Sequence, residues 1–480
     1  MKKSIKNILL GGTIVGCLLS GCTPFDELNA DPTRLNEANP GSFLDPILYN
    51  ISIFGWKRFN DYTYELMGNV IDYRGTNGLG WWYVSDSEGD NTWSTYYQWL
   101  ANAKAMEKEA VTLNEPNYQA VSKVLQCYMF DILVSTFGDV PYIEACRGDE
   151  QIYYPAFDKQ TDIYKHILQE LEEANLLFDT SDNLRYNTSG DLLYMTTDGT
   201  GILKWKKFGN SLRLRILLKL LNAPEFDAET EIQKITNDPN SYPVFESNDD
   251  AAWVNISGIY PQEGPLDRPN NIASYRACSE FVINTLKTWN DPRLPVFATK
   301  QGDDYIGWPA GFAVQPSGKA SAPPKTLATA PMKLILMSYA ELSFIKAELA
   351  QKGIISEDPR MAYENGVKAS IEQWGGVMQE DYFDNPETAY NGTLERIMTQ
   401  KYFALYFCDY QQWFEYNRTG LPHIPKGDGI PENQEIAHRL KYPAILQPVS
   451  YTQRTNLKNY QKAKENMGGD NFTIKLIWQQ

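Results

Sequence analysis

Residues 339–370 read YAELSFIKAELAQKGIISEDPRMAYENGVKAS, and their spacing decides the fold class. Tyr339, Ala340, Leu342, Phe344, Ala347, Glu348 and Ala350 recur at helical steps and end at Gly353, a natural helix stop. The next segment starts at Pro359. Its small residues Ala362, Gly366 and Ala369 also fall at helical spacing, so a neighbouring helix can approach closely there. The stretch reads as a helical pair.

The same period extends through the chain. Val121, Val124, Leu125, Tyr128 and Ile132 mark one amphipathic helix and Ile163, Ile167, Leu171 and Ala174 a second. Trp205, Phe208, Leu212, Ile216 and Leu220 mark a third, with Lys206, Lys207, Arg213 and Arg215 on its other faces as a solvated or packing surface. Short helix pairs with small residues at the contact resemble tetratricopeptide units. The predicted class is therefore all-α: a helix-pair scaffold with few or minor β elements. Three segments interrupt it, 75–92, 248–271 and 302–324, rich in Gly, Pro, Asn, Asp and aromatics. Loops this long in a compact protein are functional or disordered, and their tryptophans argue against disorder.

The N-terminus predicts the compartment. Lys2, Lys3 and Lys6 precede an apolar run from Ile8 to Leu19, shorter than the roughly 20 residues a membrane helix needs. The run breaks at Leu19-Ser20-Gly21-Cys22, which resembles the lipobox cut by bacterial lipoprotein signal peptidase. Residues 1–21 then form a lipoprotein signal peptide, and the Cys22 thiol carries diacylglycerol. Residues 22–40, broken by Pro24, Pro32 and Pro40, form a lipidated tether, and residues 41–480 a single unit.

Charge narrows the partners. Cleavage before Cys22 removes three of 44 basic residues and none of 60 acidic ones, taking the formal charge from −16 to −19. Without a Lys/Arg cluster, such a surface offers nucleic acid no footprint. Membrane attachment rests on acyl chains, at about 0.8 kcal/mol per buried methylene. Cys127, Cys146, Cys278 and Cys408 read mostly as core residues; one bridge is possible, and their spacing gives no pairing signal.

Catalytic signatures are missing. The chain has neither a Gly-x-Ser-x-Gly elbow nor a phosphate-binding Gly-x-x-x-x-Gly-Lys loop, and its only histidines are His166, His423 and His438. Glycoside hydrolysis needs two carboxyls about 5 to 9.5 Å apart, which sequence proximity cannot identify among so many acids. Asp86, Glu88, Asp90 and Asn91 carry oxygens that suit calcium but lack the EF-hand ligand pattern, so they read as a solvated acidic turn. No enzyme activity, no cofactor and no metal is predicted.

Gly78-Leu79-Gly80-Trp81-Trp82-Tyr83 is the strongest local signal. Three adjacent rings cannot all face one core, so at least one is exposed or lies in a groove. Aromatic faces suit the apolar C–H face of a sugar, with Asp72, Arg74 and Asn77 placed to bond hydroxyls. The competing reading is that Trp81 and Trp82 plug a junction between helices. Trp253, Tyr260, Arg268, Tyr305 and Trp308, from the other two long loops, are further ligand-binding candidates.

Laid end to end, these segments resemble the SusD/RagB family of outer-membrane nutrient-binding lipoproteins, in its SusD-like, starch-binding-associated branch. The resemblance runs from the lipobox and Phe25-Asp26-Glu27-Leu28-Asn29 to Phe137-Gly138-Asp139-Val140-Pro141-Tyr142 and the helix from Trp205 to Leu220. It continues through Asp291-Pro292-Arg293-Leu294-Pro295, Tyr339-Ala340-Glu341-Leu342 with Ala347-Glu348, and Thr399-Gln400-Lys401-Tyr402. Trp413, Arg418-Thr419-Gly420-Leu421-Pro422 and Arg439-Leu440-Lys441-Tyr442-Pro443 complete it. Asn417 departs from the family's usual arginine, and Leu446 from its frequent glutamate. The resemblance implies four tetratricopeptide-like helix pairs with ligand-binding loops opposite them. It also implies a surface-exposed lipoprotein that delivers oligosaccharide to a SusC-like TonB-dependent transporter. In the RagB-like branch the ligand is peptide; a surface glycoside hydrolase is the reading from a different class.

Overall fold

The computed structural model describes residues 39–195, 197–446 and 456–479. The signal peptide, Cys22 and the tether up to residue 38 lie outside the described residues. The longer helices are α1 Gly41–Arg58, α2 Asp90–Thr112, α3 Pro116–Phe137, α4 Gln160–Leu177, α5 Gly199–Lys219, α6 Ala228–Asn237, α7 Glu280–Thr288, α8 Tyr339–Gln351, α9 Pro359–Gln373, α10 Leu394–Ala404, α11 Gln411–Thr419 and α12 Leu457–Met467. The β structure comprises two small antiparallel ribbons, β1 Val70–Asp72 on β3 Arg276–Cys278 and β2 Ala252–Ile256 on β4 Met332–Met337. The all-α class expected from the periodicity is the class observed.

The pair α8 and α9 forms for local reasons. The Ser338 hydroxyl accepts the N–H of Glu341 at 3.0 Å and the Asp358 carboxylate that of Arg360 at 2.9 Å, so each helix starts on a side-chain cap. Pro359 occupies the first turn of α9, where its missing N–H costs nothing. Gly353 ends α8 in the left-handed region at φ +73°. The close approach predicted at the small residues occurs at Gly366, where an added Cβ would sit 2.9 Å from the ring carbons of Phe344. Phe344 and Tyr363 meet edge to face at 6.0 Å beside it. Gly366→Val should therefore lose about 1–3 kcal/mol by overpacking, measured as a lower midpoint in urea denaturation. An unchanged midpoint would mean the helices can simply separate.

Earlier helices stack in sequence, α2 on α3, α3 on α4 and α4 on α5. Among the described residues α3 alone is long and apolar enough to cross a membrane, yet 94% of that stretch is buried within the protein, as in a core helix. The charges of α5 also point inward: Lys207, Arg213 and Arg215 are buried, so this face is a packing face rather than a solvated one. Arg215 forks onto Glu341 of α8 at 2.7 and 2.6 Å, and Lys219 reaches Asp131 of α3 at 2.7 Å.

Other residues of the family pattern do the same. Arg293 forks onto Asp291 at 2.8 and 2.6 Å and donates to Ser370 and Gln400. Arg418 of α11 grips Glu348 of α8 at 2.8 and 2.6 Å and also meets Glu415, to which Lys401 of α10 adds 2.9 Å. Desolvation would raise the Glu415 carboxyl, but Arg418 and Lys401 outweigh it and hold it far below the carboxylate range. These buried charges pin helices to one another.

Candidate functional site

The β1–β3 ribbon positions an exposed ring. Asp72 pairs with Arg276 in register, and the next residue, Tyr73, donates its N–H to the Tyr275 carbonyl at 3.0 Å. Tyr275 adopts φ +59°, which lifts its side chain off the ribbon, and it is 56% exposed. The Arg74 guanidinium lies 5.3 Å from the Tyr275 ring centroid. It is held there by Asp72, whose Oδ1 and Oδ2 accept from Arg74 Nε at 2.9 and 3.0 Å. Burial would raise the Asp72 carboxyl, but the hydrogen bonds from Arg74 outweigh it and keep it below its usual range. The result is an ionised carboxylate, a planar cation and a ring face at the surface, with Asn77 also exposed nearby in sequence.

Behind this face the rings run edge on into the core. Tyr275 meets Tyr73 at 6.2 Å, Tyr73 meets Trp308 at 5.5 Å, Trp308 meets Phe312 at 6.3 Å and Phe312 meets Trp81 at 4.9 Å. Trp308 is fixed by its backbone, which accepts from Glu280 at 2.7 Å and donates to Cys278 at 3.0 Å. Two of the three long loops thus converge on the ribbon.

The run 78–83 divides its rings. Trp81 is fully enclosed and its indole N–H donates to the Phe312 carbonyl at 3.0 Å, so it offers a ligand no surface; for this residue the plug reading replaces the binding one. Gly78 and Gly80 are small because the buried Glu65 carboxylate lies against them and accepts the Gly80 N–H at 3.0 Å. Trp82, in the left-handed region at φ +63°, turns the chain the other way. Its ring is nearly covered, with Lys426 at 5.3 Å, and its carbonyl accepts from Gln434 at 2.8 Å. Tyr83 is 41% exposed. Trp82 and Tyr83 line a cleft of about 370 Å³ together with Gln434, Lys441, Asn471 and Phe472.

The remaining candidates are dispersed. Trp253 sits on β2 with the Lys333 ammonium 4.3 Å from its ring centroid, so a cation already occupies that region. Tyr260 projects from a turn at 84% exposure, Arg268 is exposed, and Lys300 lies 5.7 Å from the Tyr305 ring. Of the acidic turn, Asp86 pairs with Lys441, Glu88 with Arg58, and Asp90 accepts from the Ala444 N–H. One carboxylate oxygen of each of these three residues is thus engaged with a protein group. Tyr275 was not singled out from the sequence, since nothing in Ala273-Ser274-Tyr275 announces a left-handed tyrosine.

Residues 32–443 match the family model described as starch-binding associating with outer membrane, SusD-like. The chain is a member of the SusD-like family. A search of curated proteins finds no match. Solved structures include a SusD homologue from Bacteroides fragilis, 24% identical, with 92% of this chain and 100% of that one aligned at TM-score 0.77. A chitin-binding protein is 25% identical, with the same coverage and TM-score 0.76. A SusD homologue from Bacteroides vulgatus is 21% identical over 92% of this chain and 98% of that one, at TM-score 0.72. This SusD-like chain is accordingly a nutrient-binding protein of an outer-membrane family whose members bind ligands rather than transform them. Arg293, Glu341, Glu348, Arg418 and Arg439, which carried the resemblance in sequence, are scaffold residues with buried ion partners.

Proposed function

We propose that this SusD-like protein captures oligosaccharides at the cell surface and delivers them to a SusC-like TonB-dependent transporter, anchored by acyl chains on Cys22. The observation that carries this reading is the exposed Tyr275 ring with Arg74 and Asp72 locked beside it, an apolar face bordered by a fixed donor and a fixed acceptor. Carbohydrate sites combine these elements: a ring for the C–H face and oriented polar groups for hydroxyls. The aromatic wall behind leaves little to rearrange on binding, so the surface is preformed. Tyr83 with Trp82, Asn77 and Tyr260 are secondary contacts in this proposal, and Trp308 backs the ring wall. The likeness to a chitin-binding protein favours a saccharide over a peptide.

Calorimetry with chitohexaose and maltohexaose tests the reading. Tyr275→Ala and Arg74→Ala should each cost roughly 2 kcal/mol of affinity, the loss expected at a central contact, without lowering the melting temperature. Binding of a peptide library with no response to either sugar would replace the oligosaccharide with a RagB-type ligand. For the anchor, Cys22→Ser should move the protein from the membrane pellet to the soluble fraction in cells lacking the transporter. Retention in the pellet would refute lipid attachment at that residue.

A further inference from the structure

A second cleft lies between α7 and α10. Phe281, Thr285 and Trp289 follow one another at four-residue steps along α7 and just past its end, so they share one face about 12 Å long. That face lines a cleft of about 340 Å³ together with Glu395 and Thr399, one turn apart on α10, and His423. Arg396 is already engaged: it donates to the Pro386 carbonyl at 3.3 Å and lies 3.6 Å from Glu387. The Glu395 carboxylate and the His423 ring, in contrast, meet no hydrogen-bonding or ionic partner among the described residues.

We propose that this cleft is a second saccharide subsite, taking a neutral pyranose unit. The proposal rests on the oligosaccharide reading above and extends it to a surface with no rings or charges in common with the first. Its free groups are a carboxylate that accepts and an imidazole that accepts at one nitrogen and donates at the other, a set that suits sugar hydroxyls, which both donate and accept. Trp289 and Phe281 supply apolar surface, and both are held from behind, edge to face on Phe403 at 5.3 Å and on Tyr402 at 5.5 Å. Glu387 and Glu395 together disfavour an anionic ring, and Arg396 opposes a cationic one. The two surfaces are linked rigidly, because the N–H of Glu280, the first residue of α7, donates to the Trp308 carbonyl behind the first site.

The test is saturation-transfer NMR on the full chain with the methyl glycosides of glucose, galactose, mannose and N-acetylglucosamine, and with methyl glucosaminide as a cationic control. Two double variants separate the sites. Arg74→Ala/Tyr275→Ala removes the first, and Glu395→Ala/His423→Ala, at exposed positions, removes the free polar groups of the cleft. At least one neutral glycoside should still bind when the first site is removed, and its apparent affinity in that background should fall roughly tenfold or more when the cleft changes are added. Loss of all binding in Arg74→Ala/Tyr275→Ala would overturn the subsite and leave the first site standing. Persistence in the combined variant, or binding of the glucosaminide alone, would also overturn it. Silence of every probe on the unmutated chain would overturn the subsite, and the first reading with it only if chitohexaose and maltohexaose also fail to bind, whereas binding that responds only to the cleft variant would support the subsite and refute the first surface.

Discussion

Trp81→Ala should destabilise the protein by about 3–5 kcal/mol, the cost of emptying a fully buried tryptophan site, and should do so without being a loss of ligand contact. The ring is completely enclosed, edge to face with Phe312, and its N–H satisfies the Phe312 carbonyl. Truncation opens a void and strands a buried acceptor at once. Tyr83→Ala, two residues on and 41% exposed, should change stability by no more than about 0.5 kcal/mol. Urea denaturation of the two variants beside calorimetry with a bound oligosaccharide checks the contrast. A Trp81→Ala protein of unchanged midpoint but lost affinity would return this ring to the binding surface.

A second large effect is expected from pH. Asp409 is buried, and burial pushes its carboxyl up to about 7, against the opposing influence of the Tyr96 hydroxyl that donates to Oδ2. Its other oxygen, Oδ1, has no partner among the described residues. In the unfolded chain an aspartate titrates near 3.9. Between about pH 4 and pH 7 the unfolded state therefore gives up this proton while the folded state keeps it, so stability falls as pH rises through that window and levels off above it. Three pKa units correspond to roughly 4 kcal/mol. Asp409→Asn, neutral at every pH, removes the slope: relative to the unmutated chain it should gain about 4 kcal/mol between roughly pH 4 and pH 8. Parallel pH profiles of denaturation midpoint for the two proteins would show that Asp409 is ionised in the folded state.

Much of the architecture was legible because its causes are local. Helical spacing, the stop at Gly353, the start at Pro359 and the small Gly366 depend on residues a few positions apart, and each acts in the structure as its chemistry suggests. The candidate site was legible only in outline. Two of the three long loops do converge on one aromatic wall, but which ring faces outward is not a local property. Trp81 and Trp82 are chemically identical neighbours, and the choice between them is made by Phe312 and Gln434, more than two hundred residues away.

What the sequence by itself determined is the helical class, the break between the helices at Gly353 and Pro359 and the family, because periodicity, capping and ordered motifs act over a few residues. Tertiary structure alone decided which charges are buried pins, that Tyr275 rather than Trp81 presents a ring to solvent, and that Asp409 is shut away from water. The physical reason is that burial and ion pairing are set by the partner. Arg418 finds Glu348 seventy residues away and Asp409 meets Tyr96 across more than three hundred, separations at which spacing along the chain carries no information about distance in space.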